Sequence, residues 1–287
     1  MCELNKEFKI VLAGTPQFSV PIFEKVIQNF NVVAIVSQPD KPANRGYKLD
    51  PTPTKLLAQK YNIILFQPEK IGQIYEQLKE LDYDLLLTCA FGQYVPTKIL
   101  NLAKKGSLNI HGSLLPKYRG AAPIQHSVWN GDDQTGLNLI YMIDRMDAGN
   151  IIKEAKINIL PNDTSDTMFE KMSQLGTEHI VSWLNDFFND NFTEIIQDES
   201  QVTLAPKLNK EDALLGWSLT VDQAFNQIRA FSSNPGAYVF IGDKRLKVYY
   251  ASKNHVNNAI ELKFSNGSLY AIDYQFESKK RITLKYH

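Results

Sequence analysis

Hydrophobic positions in the first half of the chain fall into short unbroken runs, with helically spaced stretches between them. Phe8–Ala13 (FKIVLA) reads as a strand ending at Gly14-Thr15-Pro16, and Pro21–Gln28 has helical spacing with Pro21 at its first position. Asn31–Ser37 is a second strand, Pro53–Lys60 a helix, Ile63–Phe66 a third strand and Ile71–Leu81 a helix. Tyr83–Ala90 (YDLLLTCA) is a continuous apolar strand, followed by a shorter one at Ser107–Ile110. Nearly unbroken apolar strands alternating with helices predict a mostly parallel sheet covered on both faces, because every strand residue is then buried. Right-handed crossovers make this a doubly wound α/β domain.

Leu137–Met142 and Ile151–Ile159 predict an antiparallel pair around the turn Asp147-Ala148-Gly149-Asn150. Thr164–Phe188 predicts one long helix, capped by Asp163 or Thr164, with an apolar stripe of Met168, Met172, Leu175, Ile180, Trp183 and Leu184. Residues 189–212 are polar and irregular, as a linker would be. Beyond them a helix at Val221–Ala230 precedes short strands at Tyr238–Ile241, Leu246–Tyr250, Ala259–Phe264, Leu269–Ile272 and Ile282–Tyr286. Short strands at this spacing predict a small β-barrel. The expected organisation is a catalytic domain at 1–190, a linker at 191–211 and a barrel at 212–287.

The chain has 287 residues with 31 acidic and 31 basic side chains, enough to bury a core without staples. The balance is uneven along the chain. Residues 1–199 carry 19 Lys+Arg against 24 Asp+Glu, and residues 200–287 carry 12 against 7. A basic carboxy-terminal piece suits a phosphate-rich partner. The two cysteines, Cys2 and Cys89, form no Cys-x-x-Cys pair, and the five histidines have no metal-ligand spacing. The amino terminus lacks the apolar core of a secretory signal, and no run approaches a membrane span. A cytoplasmic protein without metal is expected.

Three strand-following loops are the places to look for chemistry, since doubly wound sheets bind ligands at strand carboxyl ends. Ala13-Gly14-Thr15-Pro16 is not a Gly-x-Gly-x-x-Gly cradle. Gln38–Thr54 is a seventeen-residue loop with Lys41, Arg45 and Lys48, long enough to be functional and basic enough for a nucleic-acid backbone. The densest polar cluster is Asn109-Ile110-His111-Gly112-Ser113-Leu114-Leu115-Pro116. Strand alternation puts Asn109 and His111 on one side. An asparagine amide can donate to a developing oxyanion, and a histidine can take a proton near neutral pH. Asp144 and Asp147 are both candidates to orient the histidine, and spacing does not choose between them. Cys89, inside an apolar strand, is expected to pack rather than react.

Residues 109–125 (NIHGSLLPKYRGAAPIQ) resemble the signature of the 10-formyltetrahydrofolate-dependent formyltransferase family. Ala13–Pro16, the QPDKP and RG elements of Gln38–Thr54, and Asp147-Ala148-Gly149 support the resemblance, which extends over essentially the whole chain. It implies a Rossmann-like catalytic domain with an OB-like barrel. It implies 10-formyltetrahydrofolate as formyl donor, held by Ser113, Leu114, Leu115 and Pro116, and a catalytic trio of Asn109, His111 and Asp147. The basic loop and barrel direct the resemblance to family members that formylate initiator methionyl-tRNA, with Lys41, Arg45 and Lys48 on the RNA and the chain acting as a monomer. Formyl transfer to an amino sugar or other small amine, and hydrolysis of the folate donor, are the alternative activities. Arg145-Met146 ahead of Asp147 is bulkier than the resemblance leads one to expect.

Overall fold

The computed structural model describes residues 7–42 and 49–284. The chain divides into two compact units. One comprises residues 1–121, 136–157 and 170–204, and the other residues 122–135, 158–169 and 205–287.

The first unit is built on a seven-stranded sheet. Its chain runs β1 (Lys9–Gly14), α1 (Ser19–Asn29), β2 (Asn31–Val36), the two-residue strands β3 (Lys41–Pro42) and β4 (Leu49–Asp50), α2 (Pro53–Tyr61), β5 (Ile64–Phe66), α3 (Tyr75–Glu80), β6 (Leu85–Cys89), α4 (Thr97–Leu100) and β7 (Gly106–His111). After α5 (Pro123–Trp129) come β8 (Gln134–Tyr141) and β9 (Ile151–Asn158). The sheet order is β5-β2-β1-β6-β7-β8-β9. The pairings from β5 to β7 are parallel and β7–β8 is antiparallel. All five residues of β6 are buried, as expected for a central strand covered on both faces. Between β8 and β9, the Tyr141 amide donates to the Asn150 carbonyl, and Gly136 faces Ala155 so closely that a Cβ there would lie 2.2 Å from the Ala155 carbonyl. Contacts that progress in opposite directions along the two strands are those of an antiparallel hairpin.

Local chemistry explains most element ends. Thr52 accepts from the Lys55 amide to cap α2, Pro53 occupies its first position, and Asn62 closes it in a left-handed conformation. Pro21 is third in α1 rather than first, because the helix begins at Ser19. A missing N–H costs nothing anywhere in the first turn, so the proline is tolerated there as well. The stretch expected to be helical from Ile71 opens as a 3₁₀ turn, Ile71–Ile74, before becoming α3. The long helix α6 (Ser165–Phe188) matches its apolar stripe, and Thr164 Oγ1 accepts from the Thr167 amide at its start.

In the second unit, α5 packs on α7 (Val221–Phe231), with Trp129 edge-on to Phe231 at 5.0 Å between centroids. α7 starts with a Thr220/Gln223 capping box. The strands β10 (Ala237–Ile241), β11 (Lys244–Ser252), β12 (Ile260–Phe264), β13 (Gly267–Phe276) and β14 (Ile282–Thr283) form an antiparallel sheet in the order β10-β11-β13-β12, with β14 added on β13. The expected barrel takes the form of this sheet curled on α7, which touches β10, β11 and β13. No helix among the described residues is long and apolar enough to cross a membrane.

Candidate active site

Sheet order locates the reactive edge of the first unit. The chain builds outward from β1 to β2 and β5, then crosses to β6 and β7, so its direction of growth reverses between β1 and β6. Gly14, at the end of β1, has no room for a side chain: a Cβ would lie 2.6 Å from Phe23 and 2.7 Å from the Cys89 carbonyl. Next to it, Thr15 Oγ1 donates to the Phe91 carbonyl (3.0 Å) and accepts from the Gln38 amide (3.3 Å). Gln38 Nε2 also reaches Phe91 O at 2.9 Å. These bonds tie the loops after β1, β2 and β6 into one rim.

β7 delivers Asn109 and His111 to this edge. Asn109 is half-buried and pairs in register with Thr88 of β6. Thr88 Oγ1 donates to Asn109 Oδ1 at 2.7 Å. With its oxygen accepting this bond, Nδ2 is the amide atom that has hydrogens to donate.

His111 is 4% exposed, and its Nε2 lies 2.9 Å from the Tyr118 carbonyl. A carbonyl only accepts, so Nε2 carries a proton and donates it. Nδ1 is left facing Asp147 Oδ1 at 3.5 Å, close enough for an ion pair but too long for a firm hydrogen bond. The structure thus chooses between the two aspartates that spacing left open: Asp144 is exposed, whereas the Asp147 side chain is 12% exposed and faces the imidazole. Asp147 has φ +52°, an αL conformation that aspartate tolerates better than most residues. Gly149 allows the turn to close, since a Cβ there would lie 1.9 Å from the Tyr141 carbonyl. Arg145 and Met146 both point outward. Arg145 pairs with Glu199 at 2.6 Å and Met146 is 70% exposed, so their bulk stays out of the site.

Three consecutive residues register this pair. Tyr118 O receives His111, Gly120 N donates to Asp147 Oδ2 at 2.9 Å, and Arg119 between them turns inward, 6% exposed. Arg119 Nε and Nη2 donate to Gln197 Oε1 at 2.9 and 2.8 Å. Its Nη1 and Nη2 also reach Glu199, whose carboxyl is held below the usual range chiefly by Arg119, with help from Arg145. Gln197 Nε2 in turn donates to the carbonyls of Asp147 (2.8 Å) and Gly149 (2.7 Å). The segment 189–212, which reads as a linker, therefore supplies a buried member of the site. It is placed there by reciprocal backbone bonds between Ile195 and Ile151 and by the Arg119 amide donating to Thr203 O. Gln197 was invisible in the sequence because one glutamine in a polar stretch carries no periodicity. Arg119 and Gly120 lie within the 109–125 signature, but their partners could not be read from it.

The turn after His111 divides into two kinds of position. Ser113 is fully buried with Oγ donating to Lys117 O at 2.7 Å, and Leu115 packs with Ile140 and Ile151. The Leu115 amide donates to buried Asn138 Oδ1 at 2.6 Å. Leu114 and Pro116 remain half-exposed. Of the four residues expected at a folate, Ser113 and Leu115 have their polar atoms or side chains committed inside, and Leu114 and Pro116 present surface.

In the basic loop, Lys41 is exposed in the β3–β4 stem, while Arg45 and Lys48 lie outside the described residues. The stem is anchored by Asp40, which pairs with Lys55, accepts from Gln67 Nε2 at 2.7 Å and accepts from the Thr52 amide at 3.3 Å. Lys55 and then Gln67 hold the Asp40 carboxyl below its ordinary value. A depressed folded value means that this anchor is fully present above the ordinary aspartate range near pH 4 and is lost as pH falls through the lowered value. It is therefore intact at neutral pH.

Cys89 is fully buried, and burial pushes its thiol up to about 12. Alkylation by iodoacetamide at pH 8 is expected to leave the Cys89 peptide unmodified in the native protein and to modify it in denaturant, as read by mass spectrometry. Native-state modification would remove the assignment of Cys89 to the core. Among the described residues, no group of three His, Cys, Asp or Glu is placed to hold a metal.

Residues 8–184 match the family model described as formyl transferase, and residues 207–285 match the formyl transferase C-terminal domain. The chain belongs to the formyl transferase family. It is 54% identical over 280 residues to the methionyl-tRNA formyltransferase of Mycoplasmopsis pulmonis, with 97% of each chain covered. It is 41% identical over 255 residues to the methionyl-tRNA formyltransferase of Staphylococcus aureus strain N315, covering 88% of this chain and 82% of that one. Among solved structures, an N-formyltransferase from Helicobacter canadensis in complex with folinic acid and dTDP-3-aminofucose shares the fold (TM-score 0.69, 19% identity, 92% of this chain and 98% of that chain). HypX from Aquifex aeolicus in complex with tetrahydrofolic acid shares it too (TM-score 0.67, 13% identity, 96% of this chain and 45% of that chain).

Proposed function

We propose that this chain transfers the formyl group of 10-formyltetrahydrofolate to the amino group of methionine on initiator methionyl-tRNA, acting in the cytoplasm as a monomer. The observation that carries the reading is the approach of Asp147 to His111, two residues beyond Asn109 at the end of β7, in a sheet belonging to a formyl transferase. The sequence likeness to relatives named for that acceptor runs over nearly the full chain. All three side chains come from one compact unit, so no second copy is needed to complete the site.

The folate supplies an activated formyl group, and the residues fit such a donor. Leu114 and Pro116 offer half-exposed apolar surface on the turn after His111, at the strand ends of the sheet. Planar ring systems are held by apolar walls together with a few fixed hydrogen bonds.

Asn109 Nδ2 donates to the formyl oxygen as negative charge develops there during attack by the amine. His111 keeps Nε2 on Tyr118 O, so Nδ1 is the nitrogen that takes the amine proton, directly or through one water. A proton arriving at Nδ1 lies opposite the Asp147 carboxylate, which Gly120 N and the Gln197-held turn keep in place. As the bond from the formyl carbon to N10 of the donor breaks, that proton passes to N10, so tetrahydrofolate leaves neutral and His111 is returned to its starting form. Lys41, Arg45 and Lys48, with the basic piece at residues 212–287, serve the RNA backbone.

The test is an acid-gel assay with purified protein, 10-formyltetrahydrofolate and charged initiator methionyl-tRNA. Formylated product is expected, and His111→Ala is expected to lose it. Free formate without formyl-methionyl-tRNA would replace this reading with hydrolysis of the donor. Turnover of neither kind would direct the search to amino sugars.

A further inference from the structure

We propose that Gln197 is a positioning residue for Asp147. Through it, the buried Arg119 fixes the backbone of the turn whose side chain Gly120 already holds. The inference rests on the assignment of Asn109, His111 and Asp147 given above.

The hydrogen-bond count around Gln197 is complete. Arg119 can only donate, and it gives two N–H groups to Oε1. The carbonyls of Asp147 and Gly149 can only accept, and they take both Nε2 hydrogens. Two donated and two accepted bonds exhaust the amide, and 6% exposure excludes water as a substitute. Glutamate at this position would keep Arg119 but set a carboxylate against two carbonyls. Methionine would keep the shape and lose all four bonds.

The geometry being held is an unfavourable one. Asp147 has φ +52°, and its Oδ1 stands 3.5 Å from His111, so a small rotation of the turn removes the carboxylate from the imidazole. Tyr118-Arg119-Gly120 acts on both partners at once. Its first residue holds His111, its last holds the Asp147 carboxylate, and its middle residue reaches the Asp147 carbonyl through Gln197. The turn and the histidine are thus referenced to one short piece of backbone, which sets their separation.

The experiment is a double-mutant cycle in the holo assay with both substrates. Gln197→Met is expected to lower kcat by about 10- to 100-fold, the usual cost of a reacting group displaced by about an ångström. KM for folate and for tRNA should stay within about twofold of the parent. On an Asp147→Asn background, the same substitution should cost less than about twofold more, because a residue acting through Asp147 has nothing left to position. Unchanged kcat, or losses that multiply across the cycle, would overturn the proposal. If Gln197→Met lacks a native thermal melt, Gln197→Glu in the same cycle decides it by the same criteria. An inactive parent protein would overturn the functional reading instead, so the two failures are distinguishable.

Discussion

Asn109→Ala is expected to lower kcat by about 100- to 1000-fold, the range found when one oxyanion donor is removed. KM for either substrate should change little, because a bond made only as charge develops contributes to kcat and not to ground-state binding. The fold should survive. Asn109 is half-buried, and its single strong partner, Thr88 Oγ1, has the Leu108 carbonyl 3.3 Å away as an alternative acceptor. No buried donor is therefore orphaned by the change. Steady-state kinetics over a range of folate and methionyl-tRNA concentrations, alongside a thermal melt, would check it. Near-normal turnover would take Asn109 out of the chemistry, and a collapsed melt would make its role structural.

The second large effect concerns salt. If Lys41, Arg45 and Lys48 each neutralise a phosphate, the triple alanine variant should flatten the slope of log kcat/KM against log salt by about 2 to 3. Between 50 and 200 mM salt, the parent would then lose about 15- to 65-fold more kcat/KM than the variant. kcat at saturating tRNA should be shared by both, because the groups we propose as reacting sit on β7 and the Asp147 turn rather than on this loop. The Asp40 anchor with Lys55 and Gln67 is intact at neutral pH, which is where the titration is run. Parallel slopes for parent and variant would remove the loop from the RNA surface and leave residues 212–287 to account for the salt response.

The elements that could be read from the sequence share a physical feature: their signal is local. β6 is an unbroken apolar run because both its faces are covered, and α6 repeats its apolar stripe every turn for 24 residues. Ends were less legible. Pro21 fits any first-turn position, and Ile71–Ile74 tightened into a 3₁₀ turn that periodicity does not distinguish from an α-helix. Asn109 and His111 were legible because alternation along one strand sets their common side, and the 109–125 signature marked the region. Within that region, the division of Ser113 and Leu115 from Leu114 and Pro116 was not legible, since it depends on Asn138, Ile140 and Ile151 packing from elsewhere.

The sequence by itself determined the strand–helix alternation, the short-stranded carboxy-terminal piece, the polar cluster at the end of β7 and the absence of a metal-ligand pattern, because each is written in residues a few positions apart. The tertiary structure alone decided three things. It placed Asp147 rather than Asp144 at the imidazole, committed Nε2 of His111 to Tyr118 and brought Gln197 beneath the turn. The contacts behind the first and third join residues 27, 50 and 78 positions apart, and all three turn on which hydrogen bonds a closed fold leaves open. Spacing along a chain carries no record of that, since partners at such separations are chosen by how strands pair and which groups lose water together.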